Sequence, residues 1–173
     1  MKPKWWDKGK RHLVKRDKVM RKILMAYKGH LTTRKNFFYS LSRSIISQQI
    51  SVSAADAVFS RFEKKCKGKI KPKIVSKLSI SDLRKCGLSR MKAKGIKSLA
   101  KKIIDKSFDP KLIKKMSDED AINYLSSLRQ IGRWSSEMVL IFFYNRPNIW
   151  PVQDIGLLRA ISNNYKKKYL PPK

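Results

Sequence analysis

The sequence predicts an all-α protein of about nine short helices. Three observations carry that expectation. Apolar residues recur three and four positions apart in most segments, the spacing that gathers them on one face of a helix. No stretch alternates apolar and polar residues for more than a few positions, so nothing reads as a half-buried strand. Serine, aspartate and glycine stand at the ends of the periodic segments, where helix caps and stops belong.

A chain of 173 residues suffices for one domain with a real core, or for two small lobes sharing one. Apolar residues make up 42% of it, with seven Phe, six Tyr and four Trp, which supports a folded protein. No apolar run approaches the ~18 residues of a membrane span, and the first fifteen residues lack the apolar core of a signal peptide. Cys66 and Cys86 form neither a metal-ligand cluster nor a disulfide framework, which points to an intracellular, reducing setting. The net charge of +30 favours an anionic partner, nucleic acid first. Lysine outnumbers arginine 30 to 12, as a compositional bias also would give, so charge alone leaves DNA, RNA and a membrane surface open.

Taken in order, residues 1–12 read as a loosely ordered basic arm whose Trp5 and Trp6 pack on the body. Residues 13–28 carry Leu13, Val19, Ile23, Leu24 and Tyr27 at helical spacing, a first amphipathic helix stopped at Gly29. Residues 34–49 form a second, with Phe37, Phe38, Leu41, Ile45 and Ile46 on its apolar face. It runs into Ser47, Gln48, Gln49, Ile50 and Ser51, and Ser51 or Ser53 caps the next helix, which buries Ala55, Val58, Phe59 and Phe62. Residues 67–77 are a lysine-rich connection, Ser81 opens a short helix to about Cys86, and Ser89 caps a helix to about Lys106. That helix turns Ile96, Leu99 and Ile103 inward and its lysines outward, Lys94 and Lys97 among them; with Lys92 they are candidate phosphate contacts. Residues 111–115 give a short helical turn.

Residues 117–161 read as helix, tight hairpin, helix, short loop, helix. Ser117 caps the first, with Asp120 at the capping-box position. Gly132 supplies the turn, free of a Cβ penalty, and the helix over 133–144 is apolar nearly all round. Asn145, Arg146 and Pro147 end it, and Asp154 opens the third helix. Residues 116–165 hold no lysine, four arginines and five acids, a net −1, so the remainder carries +31. A nearly lysine-free unit is embedded in a strongly basic chain. On residue grounds alone, Gly132 is a turn between packed helices, Asp154 a helix cap, and Gln48–Gln49 a solvated turn.

Two motifs point further. One is residues 131–138, Ile-Gly-Arg-Trp-Ser-Ser-Glu-Met, followed by Trp150-Pro151-Val152-Gln153-Asp154, with 20 residues from Trp134 to Asp154. The other, upstream, is residues 44–51, Ser-Ile-Ile-Ser-Gln-Gln-Ile-Ser. Together they resemble the helix-hairpin-helix DNA glycosylases, specifically the 3-methyladenine DNA glycosylase II branch, over roughly residues 13–165.

The resemblance implies that fold for the whole of 1–173 as a single domain: a wedge-bearing helical lobe over about 34–115, the helix-hairpin-helix over 117–145, and a catalytic loop and helix over 150–165. It implies Asp154 as the catalytic carboxylate, Trp134 and Met138 in the base pocket, and Gln49, with Gln48 beside it, as the wedge that fills the hole left by an extruded base. Gln130, Gly132 and Arg133 are implied to grip phosphate, mostly through backbone N–H groups at a helix N-terminus. A monovalent cation, Na+ or K+, is implied at the hairpin near Gln130 and Gly132; no iron–sulfur cluster or other cofactor is. The partner would be duplex DNA carrying alkylated bases, acted on by a monomer. Trp134 stands where lyase relatives hold a nucleophilic lysine, so hydrolysis without strand cleavage is expected.

Three departures stand out. The family usually has glycine at the position of Gln130, which predicts a strained hairpin or a weaker phosphate grip. The relative compared has an aromatic in place of Met138. Relatives also continue past the equivalent of residue 165 with a tryptophan-bearing helix that helps close the base pocket, and this sequence is expected to lack that last C-terminal helix. A non-catalytic helix-hairpin-helix DNA-binding protein is the alternative from a different class. A basic RNA-binding protein is a third, resting on charge alone.

Overall fold

The computed structural model describes residues 2–33 and 36–167. Among them are α1 (Trp6–Arg16), α2 (Lys18–Ala26), α3 (Phe37–Ser47), α4 (Val52–Lys65), α5 (Pro72–Val75), α6 (Ile80–Lys85), α7 (Arg90–Ile104), a 3-10 turn at Leu112–Lys115, α8 (Asp118–Ser126), α9 (Arg133–Phe142) and α10 (Ile155–Tyr165). No described residue is in a strand, as the all-α expectation has it, and no described helix is long and apolar enough to cross a membrane.

α3 organises the packing because it is apolar or small on nearly every side. Phe37, Phe38, Leu41, Ile45 and Ile46 are buried, and so are Ser40, Ser42 and Ser44. It packs on α4, α7 and α9, while α5 and α6 lie against α7, and α8 against α9. The core continues through Phe62, Val75, Leu83, Ile96, Leu99, Ile113, Leu125 and Leu140, all shielded from solvent; each such side chain contributes about 1.5–3 kcal/mol through lost apolar exposure. An aromatic cluster closes one flank, with Phe108 stacked on Tyr124 at 4.6 Å and Phe37 edge-on to Phe143 at 5.7 Å.

Several expectations need correction. Residues 6–12 are not a loose arm; they begin α1, and Trp5 Nε1 donates to the carbonyl of Asn145 at 2.6 Å. The single helix over 13–28 is two helices, because Asp17 is extended and its Oδ1 accepts from the amides of Val19 and Met20 at 2.8 and 2.9 Å. An N-cap inside a periodic segment restarts the helix without disturbing the apolar spacing. The lysine-rich connection contains α5, started by Pro72 at its first turn, where a missing N–H costs nothing. Ser79 rather than Ser81 caps α6, in a reciprocal capping box with Asp82. Residues 168–173, where the sequence was expected to stop short of a last helix, lie outside the described residues.

Tyr165 at the end of α10 donates to Asp17 Oδ2 at 2.6 Å, tying the last helix to the α1–α2 junction. The end of α3 and the beginnings of α4, α7, α9 and α10 are arranged around one opening.

Candidate active site and nucleic-acid interface

α10 begins at a tight turn in which the amide of Asp154 donates to the carbonyl of Pro151 at 3.0 Å. Asp154 is extended, and its Oδ1 accepts from the Leu157 amide at 2.8 Å. That is the cap role expected from sequence. Its other oxygen is held from a different helix: Trp134 Nε1 donates to Asp154 Oδ2 at 2.9 Å. The carboxylate is thus fixed on both oxygens and stands half-buried at the mouth of a cleft of about 930 Å³. Gly156 leaves room for it, since a Cβ there would sit 3.1 Å from Asp154 Oδ1.

The same cleft is lined by Gln48, Gln49, Gln130, Trp134, Gln153 and Asp154. Two motifs with 79 residues between them in sequence therefore meet. Met138, one turn beyond Trp134, is half-buried but does not line this cleft. Exposed apolar side chains rim it instead: Ile50, Val52, Met91 and Ile155.

The Gln48–Gln49 turn follows directly on α3. Gln49 is exposed, with a φ of 56° in the left-handed region, which costs a side-chain-bearing residue roughly 1 kcal/mol. Gln48 points its amide elsewhere: Nε2 donates to the carbonyl of Gln130 at 2.8 Å and to Ser135 Oγ at 3.0 Å. The turn is thus tied to the hairpin between α8 and α9.

In that hairpin the left-handed residue is Gln130, with φ 66°, and not Gly132. Gly132 has an ordinary φ of −101°, and an added Cβ would meet nothing within 4 Å. The strain that the glycine-to-Gln130 departure predicts is present. The hairpin also packs closely on α7, since a Cβ on Gly95 would lie 2.8 Å from Gln130 Cγ. Gly132 caps α9 without a side chain, so the first amides of α9 have no intrahelical acceptor and the helix presents its positive end there. The Arg133 guanidinium is turned away to α8, paired with Glu119 through two contacts of 2.6 and 3.0 Å, with Nε on Glu137 Oε1 at 3.2 Å. The Arg133 hydrogen bonds hold the Glu119 carboxyl below its usual range, whereas burial pushes the Glu137 carboxyl up. The carboxylates of Glu119 and Glu137 thus occupy three of the five guanidinium N–H groups of Arg133.

Among the described residues there is no group of three or more His, Cys, Asp or Glu able to hold a metal. Cys66 and Cys86 are buried free thiols, and burial pushes Cys66 up to about 11. At the hairpin the carbonyls of Leu128 and Gln130 each accept one protein hydrogen bond, and that of Gly132 accepts two, from the Ser136 amide and hydroxyl, both at 3.0 Å. A carbonyl has two lone pairs, so the Leu128 and Gln130 oxygens fit a hard monovalent cation as shared ligands, whereas both lone pairs of the Gly132 oxygen are taken by Ser136.

Two of the three candidate phosphate lysines do not face outward. Lys92 Nζ donates to the carbonyls of Ile46 and Gln48 at 2.9 and 2.7 Å, and Lys97 Nζ to those of Ser76 and Leu78. Lys94 is exposed. Sequence periodicity placed these residues on the polar side of α7; it carries no signal for where a four-carbon stem ends.

The pattern of the "HhH-GPD superfamily base excision DNA repair protein" family matches residues 42–170. The chain is similar to DNA-3-methyladenine glycosylase 1 of Schizosaccharomyces pombe, 32% identical over 143 residues, covering 81% of this chain and 61% of that one. A DNA-3-methyladenine glycosylase of Saccharomyces cerevisiae is 31% identical over 150 residues, 82% of this chain and 49% of its own. The structure of the S. pombe 3-methyladenine DNA glycosylase in complex with abasic DNA superposes with a TM-score of 0.79 at 27% identity, covering 96% of this chain and 84% of that one. The chain spans between about half and three-fifths of the length of these two curated relatives. With three-quarters of its length matched by the family pattern, the chain belongs to the HhH-GPD superfamily of base excision DNA repair proteins.

Proposed function

We propose that the chain is a monofunctional DNA glycosylase that hydrolyses the N-glycosidic bond of alkylated, cationic purines such as 3-methyladenine in duplex DNA, the first step of base excision repair. The observation that carries this reading is the Trp134 Nε1–Asp154 Oδ2 contact, inside a cleft that also holds the Gln48–Gln49 turn. The relatives named 3-methyladenine glycosylases support the substrate class.

Chemistry on a base inside a duplex requires extrusion, at a cost of a few kcal/mol. The free amides at the start of α9, with Gln130, Gly132 and the backbone of Arg133, would hold a phosphate, and a Na+ or K+ shared by the hairpin carbonyls would add positive charge there. Gln49 would enter the vacated position, its amide able to hydrogen-bond the orphaned partner base. The extruded base would lie against the Trp134 indole, which attracts a cationic ring by about 0.5–2 kcal/mol. As the bond between C1′ and the purine nitrogen breaks, its electron pair neutralises the departing cationic base, so no proton donor is needed for the leaving group. Positive charge develops on the sugar, and the Asp154 carboxylate stabilises it at fixed distance. Water adds at C1′ and loses its proton to Asp154 or to solvent, leaving an abasic sugar.

Trp134 offers no amine, so no Schiff base forms at that position. Lys92 is in the cleft, but its ammonium donates to two carbonyls and has no lone pair to give. A second reading, a DNA-binding protein without chemistry, draws on one observation: Asp154 Oδ1 already serves as a helix cap.

The experiment is release of free base from methylated duplex DNA, resolved by chromatography, with Asp154→Asn run in parallel. Release by the parent alone, with an intact sugar–phosphate backbone, supports the monofunctional enzyme. Absence of release alongside retained DNA binding sinks it and favours the second reading.

A further inference from the structure

Lys92 lies on α7, outside both motifs, yet its ammonium reaches the turn that carries Gln48 and Gln49. The carbonyls at the end of α3 have no intrahelical donors, and that end is the negative pole of the helix dipole. Lys92 Nζ donates to Ile46 O, inside the last turn of α3, and to Gln48 O, one residue past its end. One nitrogen thus joins the rigid helix to the turn. Burial lowers the proton affinity of Lys92, as expected of an ammonium that has exchanged water for two carbonyls. The next residue after Gln48 is Gln49, in a left-handed conformation that does not hold itself. On the opposite side, the Gln48 amide is anchored to Gln130 O and Ser135 Oγ, so the turn is held between α7 and the hairpin.

We propose that Lys92 is a positioning residue for base extrusion: by fixing the carbonyls of Ile46 and Gln48 it sets the direction in which Gln49 enters the duplex. This rests on the reading of Gln49 as the wedge. Lys92 acts on the turn through these two backbone carbonyls, and its effect is on the flipping step, not on phosphate affinity.

Lys97 provides an internal comparison. It lies five residues further along α7 and also places its ammonium on two backbone carbonyls, those of Ser76 and Leu78, but it does not line the cleft. Lys92→Met and Lys97→Met remove the same chemistry at two places, one beside the wedge turn and one not.

The probe is a duplex with a stable abasic analogue opposite 2-aminopurine, whose fluorescence reports contact with the estranged base. Lys92→Met is expected to bind it within about threefold of the parent while losing most of the fluorescence change, and its single-turnover base release should fall about tenfold or more. Lys92→Arg should recover most of both signals. Lys97→Met should lower the melting temperature but keep the fluorescence change. A parent-like fluorescence change and rate in Lys92→Met overturns the proposal, as does an equal loss of both signals in Lys97→Met. Should Lys92→Met be unfolded at the assay temperature, Lys92→Gln, whose shorter chain cannot span both carbonyls, is read by the same two criteria. A parent that shows no fluorescence change sinks the wedge reading and this proposal with it, while its base release still reports separately on the glycosylase reading.

Discussion

Trp134 Nε1 donates to Asp154 Oδ2 at 2.9 Å, so the indole proposed to face the extruded base also holds the proposed catalytic carboxylate. Recognition and chemistry share one side chain. The remaining oxygen of Asp154 accepts from the Leu157 amide, so both oxygens of the acid are held at the cleft.

Asp154→Asn should therefore separate chemistry from folding. Asparagine is as good an N-cap as aspartate, so the Leu157 contact should be kept, while its Nδ2 would face the Trp134 Nε1 donor and that one hydrogen bond is lost. The negative charge is lost, and base release should fall by about 10²–10³ with DNA affinity unchanged. Asp154→Ala should show the same kinetic loss plus a stability loss of about 1 kcal/mol from the missing cap. Parallel thermal melts and single-turnover assays check this pair; parent-like release by Asp154→Asn would return Asp154 to a purely structural role.

Trp134→Phe keeps an aromatic face but deletes the donor. Asp154 Oδ2 then loses its Trp134 hydrogen bond, and contacts to charged groups are worth about 1.5–3 kcal/mol. The rate on 7-methylguanine in duplex DNA should fall by about tenfold or more, with a smaller change in DNA affinity. A loss confined to affinity would mean that the indole only stacks.

How much of this was legible beforehand differs from residue to residue. The helices at Phe37–Ser47, Val52–Lys65, Arg90–Ile104 and Arg133–Phe142 could be read because their apolar spacing is unbroken, and Ser51 and Ser89 mark the starts of two of them. The break at Asp17 could not, since a one-residue restart preserves the spacing around it. Gly132 drew attention as a turn residue, yet Gln130 takes the left-handed conformation; Gln48 and the close approach of Gly95 hold it there, and those are contacts from distant elements. Trp134 and Asp154 were singled out by motif, but nothing in a spacing of 20 residues states that they touch. Lys92 and Lys97 read as solvent-facing because helical periodicity orients Cβ, not the far end of a long flexible stem.

The capping box of α6 gives a pH prediction. The Lys65 ammonium, 2.8 Å from Asp82 Oδ1, and then the Ser79 hydroxyl and amide hold the Asp82 carboxyl well below the usual carboxylate value of 3.8. A depressed folded value means the ionised form is favoured on folding, so the stability it adds is complete above 3.8 and fades as pH falls towards the folded value. Asp82→Asn should melt below the parent at pH 7, and the gap should narrow steadily once pH drops under about 4. Its base release should equal that of the parent, because Asp82 does not line the cleft. A gap that stays constant from neutral to acid pH would show that the charge of Asp82 is not what stabilises α6.

Gly156→Ala should move stability and activity in opposite directions. Gly156 is the second residue of α10, and alanine in a helix is favoured over glycine by roughly 0.5–1 kcal/mol. Its φ is not in the left-handed region, and the nearest atom to an added Cβ is Asp154 Oδ1 at 3.1 Å. That contact is too close to be comfortable, and the carboxylate is the part able to yield. A shift of a few tenths of an ångström leaves the fold intact but displaces the carboxylate from Trp134 Nε1 and from the sugar it would face. Misplacement on this scale is enough to slow a positioned reaction severalfold or more. The variant should melt at or above the parent temperature, bind abasic-analogue duplex equally well, and release base more slowly at saturating DNA. Undiminished release would mean that the position of Asp154 tolerates this displacement, and with it that the carboxylate acts through charge alone and not through its fixed geometry.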